Sequence, residues 1–173
     1  MPLDGVRSML QNPVDGILGM DVLSHIPFTL DFRQGGVSHW GADTDGKVFP
    51  LNAHPDMGGC PLVTLRVGEK VLDRVLLDSG STTTLIEPKD WEAGEGESCS
   101  AQVADVNGRR EVKISFGKPA PVELAPGLVR ELIPQLQEGM NRSSSAAILG
   151  IESLQGLRLI YSPETGFALV SEE

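Results

Sequence analysis

The residues best suited to chemistry are Asp78, Ser79, Gly80 and Ser81, which directly follow the apolar run at residues 75–77. The apolar run predicts a buried strand that ends at the carboxylate. A charged group in that position is costly unless hydrogen bonds or a second group compensate it. Gly80 can adopt backbone angles that other residues resist, and the serine hydroxyls can bond to the carboxylate or to backbone amides. The pattern therefore predicts either an Asx-type turn or an active site built on one carboxylate.

A second motif, Ile148-Leu149-Gly150, comes 70 residues after Asp78 and is followed by two more apolar runs, at residues 157–169. The two motifs, in this order and at this spacing, resemble the retropepsin-like and pepsin-like aspartic proteases. In that family an Asp-Thr/Ser-Gly loop precedes an apolar-apolar-Gly motif by several tens of residues. The resemblance implies an all-β fold, the closed barrel of the acid proteases with short helices.

The resemblance also implies roles for single residues. Asp78 would be one half of an aspartate pair, in which the ionised member activates a water and the protonated member hydrogen-bonds the scissile carbonyl. Ser79 would bond to the matching loop of a second lobe, the Gly80 amide would donate to the carboxylate, and Ser81 would bond to an aspartate oxygen. Gly150 would support the loop from beneath. The implied function is an aspartic endopeptidase that acts on a peptide or protein substrate.

An internal repeat covers the closing part of the predicted domain. Residues 17–19 match residues 148–150, and residues 20–23 match residues 151–154. Residues 28–32 then match residues 158–162, with one residue fewer in the second copy. A repeat of this kind indicates two copies of one structural unit.

The first copy has no Asp-Ser-Gly loop of its own, because its equivalent of Asp78 would precede residue 1. We therefore expect residues 1–50 to be the C-terminal remnant of a first lobe plus a linker, and residues 59–173 to be a retropepsin-like domain. The second catalytic aspartate would come from a homodimer partner or from a missing upstream half. Asp21 is expected to cap a short helical turn.

Composition and charge argue against several classes of partner and cofactor. The 173 residues carry a formal net charge of −10, which argues against nucleic acid or an anionic membrane as a partner. No run of about 18 apolar residues predicts a membrane-spanning helix. Cys60 and Cys99 match no metal motif, so either a disulfide or two thiols fit, and we expect no metal and no cofactor. The compartment stays open, with a periplasmic or secreted location if a signal peptide precedes this sequence.

Turn signals predict two hairpins and one helix. A hairpin with Gly68 in its turn leads into Asp78, and a second hairpin at residues 101–116 has Asn107-Gly108 at its tip. That second hairpin is either a flap over the cleft or an ordinary outer hairpin. Residues 127–139 are the best helix candidate, limited by Pro134, and Asn141 begins an N-glycosylation pattern.

Two other functions fit parts of the sequence. The first is a non-catalytic retropepsin-like domain that binds a peptide or a protein. The second is a fragment of an actin-like ATPase, because residues 77–86 also resemble the first phosphate loop of that class. An ATPase of that class requires a second phosphate loop and an adenosine motif, and neither is visible in the sequence.

Overall fold

The computed structural model describes residues 7, 13, 15–16, 18–53, 59–96, 98–105, 108–138 and 147–172. These residues are mostly strand, arranged in two sheets. The helices are α1 (Met20–Leu23) and two short 3-10 helices, Pro88–Asp90 and Ile151–Leu154. The strands are β1 (Phe28–Asp31), β2 (Val37–His39), β3 (Lys47–Pro50), β4 (Asn52–Ala53), β5 (Pro61–Val67), β6 (Lys70–Leu77), β7 (Leu85–Ile86), β8 (Cys99–Asp105), β9 (Gly108–Phe116), β10 (Ala120–Ala125), β11 (Leu128–Leu132), β12 (Gln135–Gln137), β13 (Ala147–Leu149), β14 (Arg158–Ser162) and β15 (Gly166–Ser171).

The larger sheet has the order β11-β10-β5-β6-β13-β7-β12-β9-β8, with β4 beside β5. Its described strands end in two separate edges, so the predicted closed barrel is not formed. The mostly-β prediction is confirmed. Both predicted hairpins are also confirmed, as β5 with β6 and β8 with β9.

A bulge in β6 sets the direction of the strand that leads to Asp78. The register with β5 shifts between Val63 and Leu65, and Arg74 has a φ of 57° at this point. Without the bulge, strict alternation would place Leu72 and Val75 on opposite faces of the sheet. With it, both face the core, as does Leu77, directly before the candidate loop.

The smaller sheet has the order β2-β1-β14-β15-β3 and joins the beginning of the chain to its end. Phe28 of β1 stacks on Tyr161 of β14 with ring centroids 5.4 Å apart, and Phe167 of β15 completes the aromatic cluster. The Tyr161 hydroxyl donates to the carbonyl of Ser24, at 2.8 Å. Residues 20–50 therefore share a core with the C-terminal hairpin.

The predicted helix at residues 127–139 is wrong, because the structure has β11 and β12 there. β11 alternates buried Leu128 and Leu132 with exposed Val129, and Pro134 separates the two strands. The tip residue Asn107 and the glycosylation pattern at Asn141 lie outside the described residues. Asp21 occupies the first turn of α1, whose N-cap is Gly19, and so does not cap the helix as expected.

Candidate functional site

The Asp78 loop begins where β6 ends and is held on β13. The Asp78 amide donates to the carbonyl of Leu149, at 3.0 Å. Within the loop, the Gly80 amide donates to Oδ1 of Asp78 at 2.8 Å, and the Ser81 amide donates to the Asp78 carbonyl at 3.1 Å. The carboxylate is thus fixed by the turn that follows it, while its other oxygen has no partner among the described residues.

The tip of this loop faces solvent. Asp78 is half-buried, and Ser79 and Gly80 are exposed. Within the described part of the chain the Ser79 hydroxyl has no hydrogen-bond partner. The Ser81 hydroxyl donates to the carbonyl of Thr83 at 2.7 Å, and not to an aspartate oxygen as the resemblance implied. The Ser79 hydroxyl, for which the resemblance implied a bond to a second lobe, is therefore open to solvent.

Gly150 lies directly beneath the loop. A Cβ at this position would overlap the backbone carbonyl of Thr83, so only glycine permits the contact. The Gly150 amide donates to Oγ1 of buried Thr84 at 3.2 Å, and the Ile151 amide donates to the Ser81 carbonyl at 2.9 Å. Two parallel strands, β6 and β13, thus bring the two sequence motifs into contact across 70 residues.

Glu152 is a loop-supporting residue that the sequence analysis missed. Its Oε1 accepts the backbone amide of Thr84, while Oε2 is buried without a partner among the described residues. The signal for it was present in the repeat. Asp21 stands two residues after Gly19, as Glu152 stands two residues after Gly150, and the repeated carboxylate indicated a shared role.

Cys60 is a second neighbour of the site that the sequence analysis did not assign. It lies two residues before Leu62, whose β5–β6 partner Leu76 lies two residues before Asp78. Burial raises the pKa of the Cys60 thiol, and the charge of Asp78 raises it further. Cys60 and Cys99 are both free thiols, so the disulfide alternative is not realised.

A polar cavity of the structure has no residue of this loop in its lining. A cavity of about 540 Å³ is lined by residues of the two stretches 31–34 and 42–45, and includes Asp31 and Arg33. The Arg33 guanidinium lowers the pKa of Asp31 to about 2, mainly through their hydrogen bonds. Over the described ranges, no group of three or more histidine, cysteine, aspartate or glutamate side chains is placed to bind a metal.

This geometry presents one oriented carboxylate on a supported, solvent-facing loop. Such a carboxylate can polarise a water, but two-carboxylate chemistry requires a second one within a few ångströms. Asp78 begins the one Asp-Ser-Gly sequence in the chain. Among the described residues no helix is long and apolar enough to cross a membrane. Comparison with models of known protein families and with curated proteins finds no match to this chain.

Proposed function

We propose that this chain carries one half of the active site of an aspartic endopeptidase of the retropepsin-like type. The observation that carries the proposal is the seating of the Asp78 loop. The carboxylate accepts the Gly80 amide on an exposed turn, and that turn rests on Gly150 at the end of a strand parallel to β6. An ordinary turn between two surface strands requires neither the oriented carboxylate nor the glycine support.

The chemistry proposed for the complete site is hydrolysis without a covalent intermediate. The ionised carboxylate of the pair accepts a proton from a water, and the oxygen of that water attacks the peptide carbonyl. The protonated carboxyl donates to the carbonyl oxygen as it becomes negative. The proton taken from the water then passes to the leaving nitrogen as the C–N bond breaks. The carbonyl of the acid product forms at the same time, and its hydroxyl proton returns to the other carboxylate. Asp78 supplies one of these carboxylates, and a second lobe of the same kind supplies the other.

The uncovered groups of the loop support this assignment. The Ser79 hydroxyl is exposed and has no hydrogen-bond partner among the described residues. A group that bonds to the loop of a second lobe would have this exposure when that lobe is absent. Cys60 is close enough to Asp78 for that charge to raise the pKa of its thiol, so in the proposed site it would line the substrate cleft. The substrate is expected to be an unfolded or extended peptide segment, because a shared cleft between two lobes accepts an extended chain.

The first prediction concerns Asp78 itself. With a second lobe present to supply the other carboxylate, cleavage of a mixed peptide library between pH 3 and 7 should depend on Asp78, with Asp78→Asn lowering the rate by roughly 10³-fold or more, because a required carboxylate is lost. Asp73→Asn is the matched control, because Asp73 is an exposed aspartate of β6, the strand that ends directly before Asp78, and its replacement should leave the rate unchanged. Mass spectrometry of the library reports both. Cleavage by Asp78→Asn at the same rate as by an active unaltered protein would contradict the proposal. No cleavage by either protein when the second lobe is present would favour the non-catalytic binding domain.

A further inference from the structure

Residues 41–46, here called the strap, connect β2 to β3 and contain no large apolar side chain. Ala42 supplies the one apolar side chain of the strap, and it is exposed. Hydrogen bonds tie the strap to fully buried Thr29 of β1. The Thr29 hydroxyl donates to the Gly41 carbonyl at 2.6 Å, and the Asp43 amide donates to the Thr29 hydroxyl oxygen at 3.0 Å. A segment held by polar contacts alone opens at a lower free energy than the apolar core beneath it.

The other attachment of the strap is Arg158 of β14, which is 3% exposed. One terminal nitrogen of its guanidinium pairs with Oδ2 of Asp43, and the other donates to the carbonyl of Asp45. Its Nε is buried and has no partner among the described residues. A buried guanidinium is costly without a carboxylate beside it, so the burial of Arg158 depends on the charge of Asp43.

A second carboxylate, that of Asp31, lies next to Arg158 on the neighbouring strand. The two residues are directly opposite in the β1–β14 register, and both are buried. Side chains in that relation are on the same face, with Cβ atoms about 4.5–5.5 Å apart. Arg33 bonds to both oxygens of Asp31, but each oxygen can accept more than one hydrogen bond. The unpartnered Nε of Arg158 is therefore within reach of a second acceptor.

The two carboxylates beside Arg158 differ in their surroundings. The hydrogen bonds from Arg33 lower the pKa of Asp31 to about 2, so Asp31 keeps its charge through most of the acid range. The Asp43 side chain is 38% exposed, and a proton can reach it from solvent. Asp43 also accepts the Asp45 amide, so the turn within the strap depends on the same carboxylate.

The other charged groups near the strap are engaged elsewhere or are exposed. Glu172, which follows β15, pairs with Arg33. Lys47, at the start of β3, lies over the ring of Phe49 at 4.9 Å from its centroid. Asp45 is exposed and offers Arg158 its carbonyl oxygen, not its carboxylate. Among the residues that the structure describes, Asp43 is thus the carboxylate that bonds to Arg158.

We infer that the strap is an acid-sensitive closure: protonation of Asp43 releases it from Arg158, and Arg158 then pairs with Asp31 while the smaller sheet stays intact. Ionised Asp43 stabilises the closed strap at neutral pH, and this contribution is lost as the pH falls. Asp31 loses its charge only at about pH 2, so the open strap on an intact sheet is expected at about pH 3. Opening would enlarge the polar cavity between residues 31–34 and 42–45, because the strap forms one of its walls. It would take place whether or not Asp78 is catalytic.

The experiment is amide hydrogen exchange of the full chain, followed by NMR at about pH 5 and about pH 3. Protection factors are compared, because they correct for the intrinsic effect of pH on exchange. We expect the protection of the Asp43 amide to fall at least roughly tenfold between these two values, while the amides of β14 keep theirs. The Nε–H signal of Arg158 should shift over the same range as it gains Asp31 as an acceptor.

Two variants separate the charge of Asp43 from the shape of the strap. Asp43→Asn keeps the size of the side chain and removes its charge, so the residue 43 amide should already exchange fast at pH 5. Asp45→Asn is the matched control in the same strap. Because only the carbonyl of Asp45 bonds to Arg158, this variant should keep the closed strap and its dependence on pH.

Constant protection of the Asp43 amide from pH 5 to pH 3 would overturn the inference, since no acid release would occur. Simultaneous loss of protection in the strap and in β14 would also overturn it, because the sheet would then not survive without the strap. An Asp43→Asn chain that fails to fold, or one that stays fully protected at pH 5, would have the same consequence.

Discussion

At the scale of single residues, the site depends on buried polar groups that have partners from distant parts of the chain. Thr84 is fully buried, and its amide and hydroxyl are used by Glu152 and Gly150. A buried backbone amide that loses its acceptor pays the full cost of its desolvation. The Asp78 loop is therefore held by a small polar network beneath it as well as by apolar packing.

Glu152 should be required for the stability of this network. Glu152→Ala leaves the Thr84 amide without its acceptor and should lower the free energy of unfolding by about 1–3 kcal/mol. Glu152→Gln keeps an acceptor oxygen and should cost less. Urea unfolding of the two variants measures the difference, and equal losses would show that the hydrogen bond contributes nothing.

Asp31 should make the free energy of unfolding fall as the pH is lowered into the acid range. Its pKa is lowered to about 2 by Arg33, so its ionised form stabilises the folded state above the usual aspartate pKa, and this contribution is lost as the pH falls through about 2. At neutral pH the contribution is about 2 kcal/mol. Asp31→Asn should remove it and flatten stability between pH 4 and pH 2, measured by urea unfolding at each pH. An unchanged slope in the variant would refute the assignment.

At the scale of elements, the decisive feature is the parallel contact of β6 with β13. Leu76 and Leu77 pair with Ile148 and Leu149, and the loop and the glycine that follow these strands then meet. The bulge at Arg74 turns Val75 and Leu77 into the core together with Leu72, and Asp78 follows from that orientation. Gly19 and Gly150, at matching positions of the internal repeat, have nearly the same backbone angles. Only Gly150 lies against the backbone of another segment, at Thr83.

Gly150→Ala should destabilise the protein more than Gly19→Ala, because only Gly150 lies against the backbone of another segment. A methyl group on Gly150 overlaps the Thr83 backbone, and the strain should cost about 1–3 kcal/mol. A methyl group on Gly19 meets only the Asp21 carboxylate, which can rotate away, and should cost less than about 1 kcal/mol. Thermal unfolding of the two variants is the measurement. Equal midpoints would show that the contact of Gly150 with Thr83 does not restrict the side chain at that position.

At the scale of the whole molecule, the beginning and the end of the described chain form one sheet. Buried Arg158 pairs with Asp43, and the Thr29 hydroxyl donates to the Gly41 carbonyl at 2.6 Å, so the connection after β2 is also held against β14 and β1. Residues 28–50 are thus not a loose extension. The assignment of residues 1–50 to a remnant of a first lobe plus a linker remains a prediction.

Phe28 should couple this segment to the remainder of the molecule. It is buried against Tyr161 and Phe167, so Phe28→Ala should cost about 3–5 kcal/mol and lower the midpoint of a single transition. Trp40→Ala, at an exposed aromatic residue of the same segment, should change stability by less than about 0.5 kcal/mol. Calorimetry that shows two separate transitions would contradict one shared core.

The sequence by itself determined the local features of this protein. Alternating apolar residues and turn glycines located the hairpins, and the apolar runs around Asp78 and Gly150 identified the strand ends. The internal repeat was also readable directly, because it needs only residue types at matching positions. These features depend on interactions within a few residues, so a linear pattern records them.

Only the tertiary structure decided which distant groups meet. Glu152 and Thr84 are 68 residues apart, and Phe28 and Tyr161 are far more distant in the sequence, so neither contact has a local signal. Residues 128–132 and 135–137 form strands because β11 and β12 pair with β10 and β9, which outweighs weak helical propensity. The two copies of the internal repeat have similar sequences, but Leu18 of the first copy is 54% exposed and its counterpart Leu149 is fully buried. This difference arises from the strands that lie against each copy, and only the folded chain shows it.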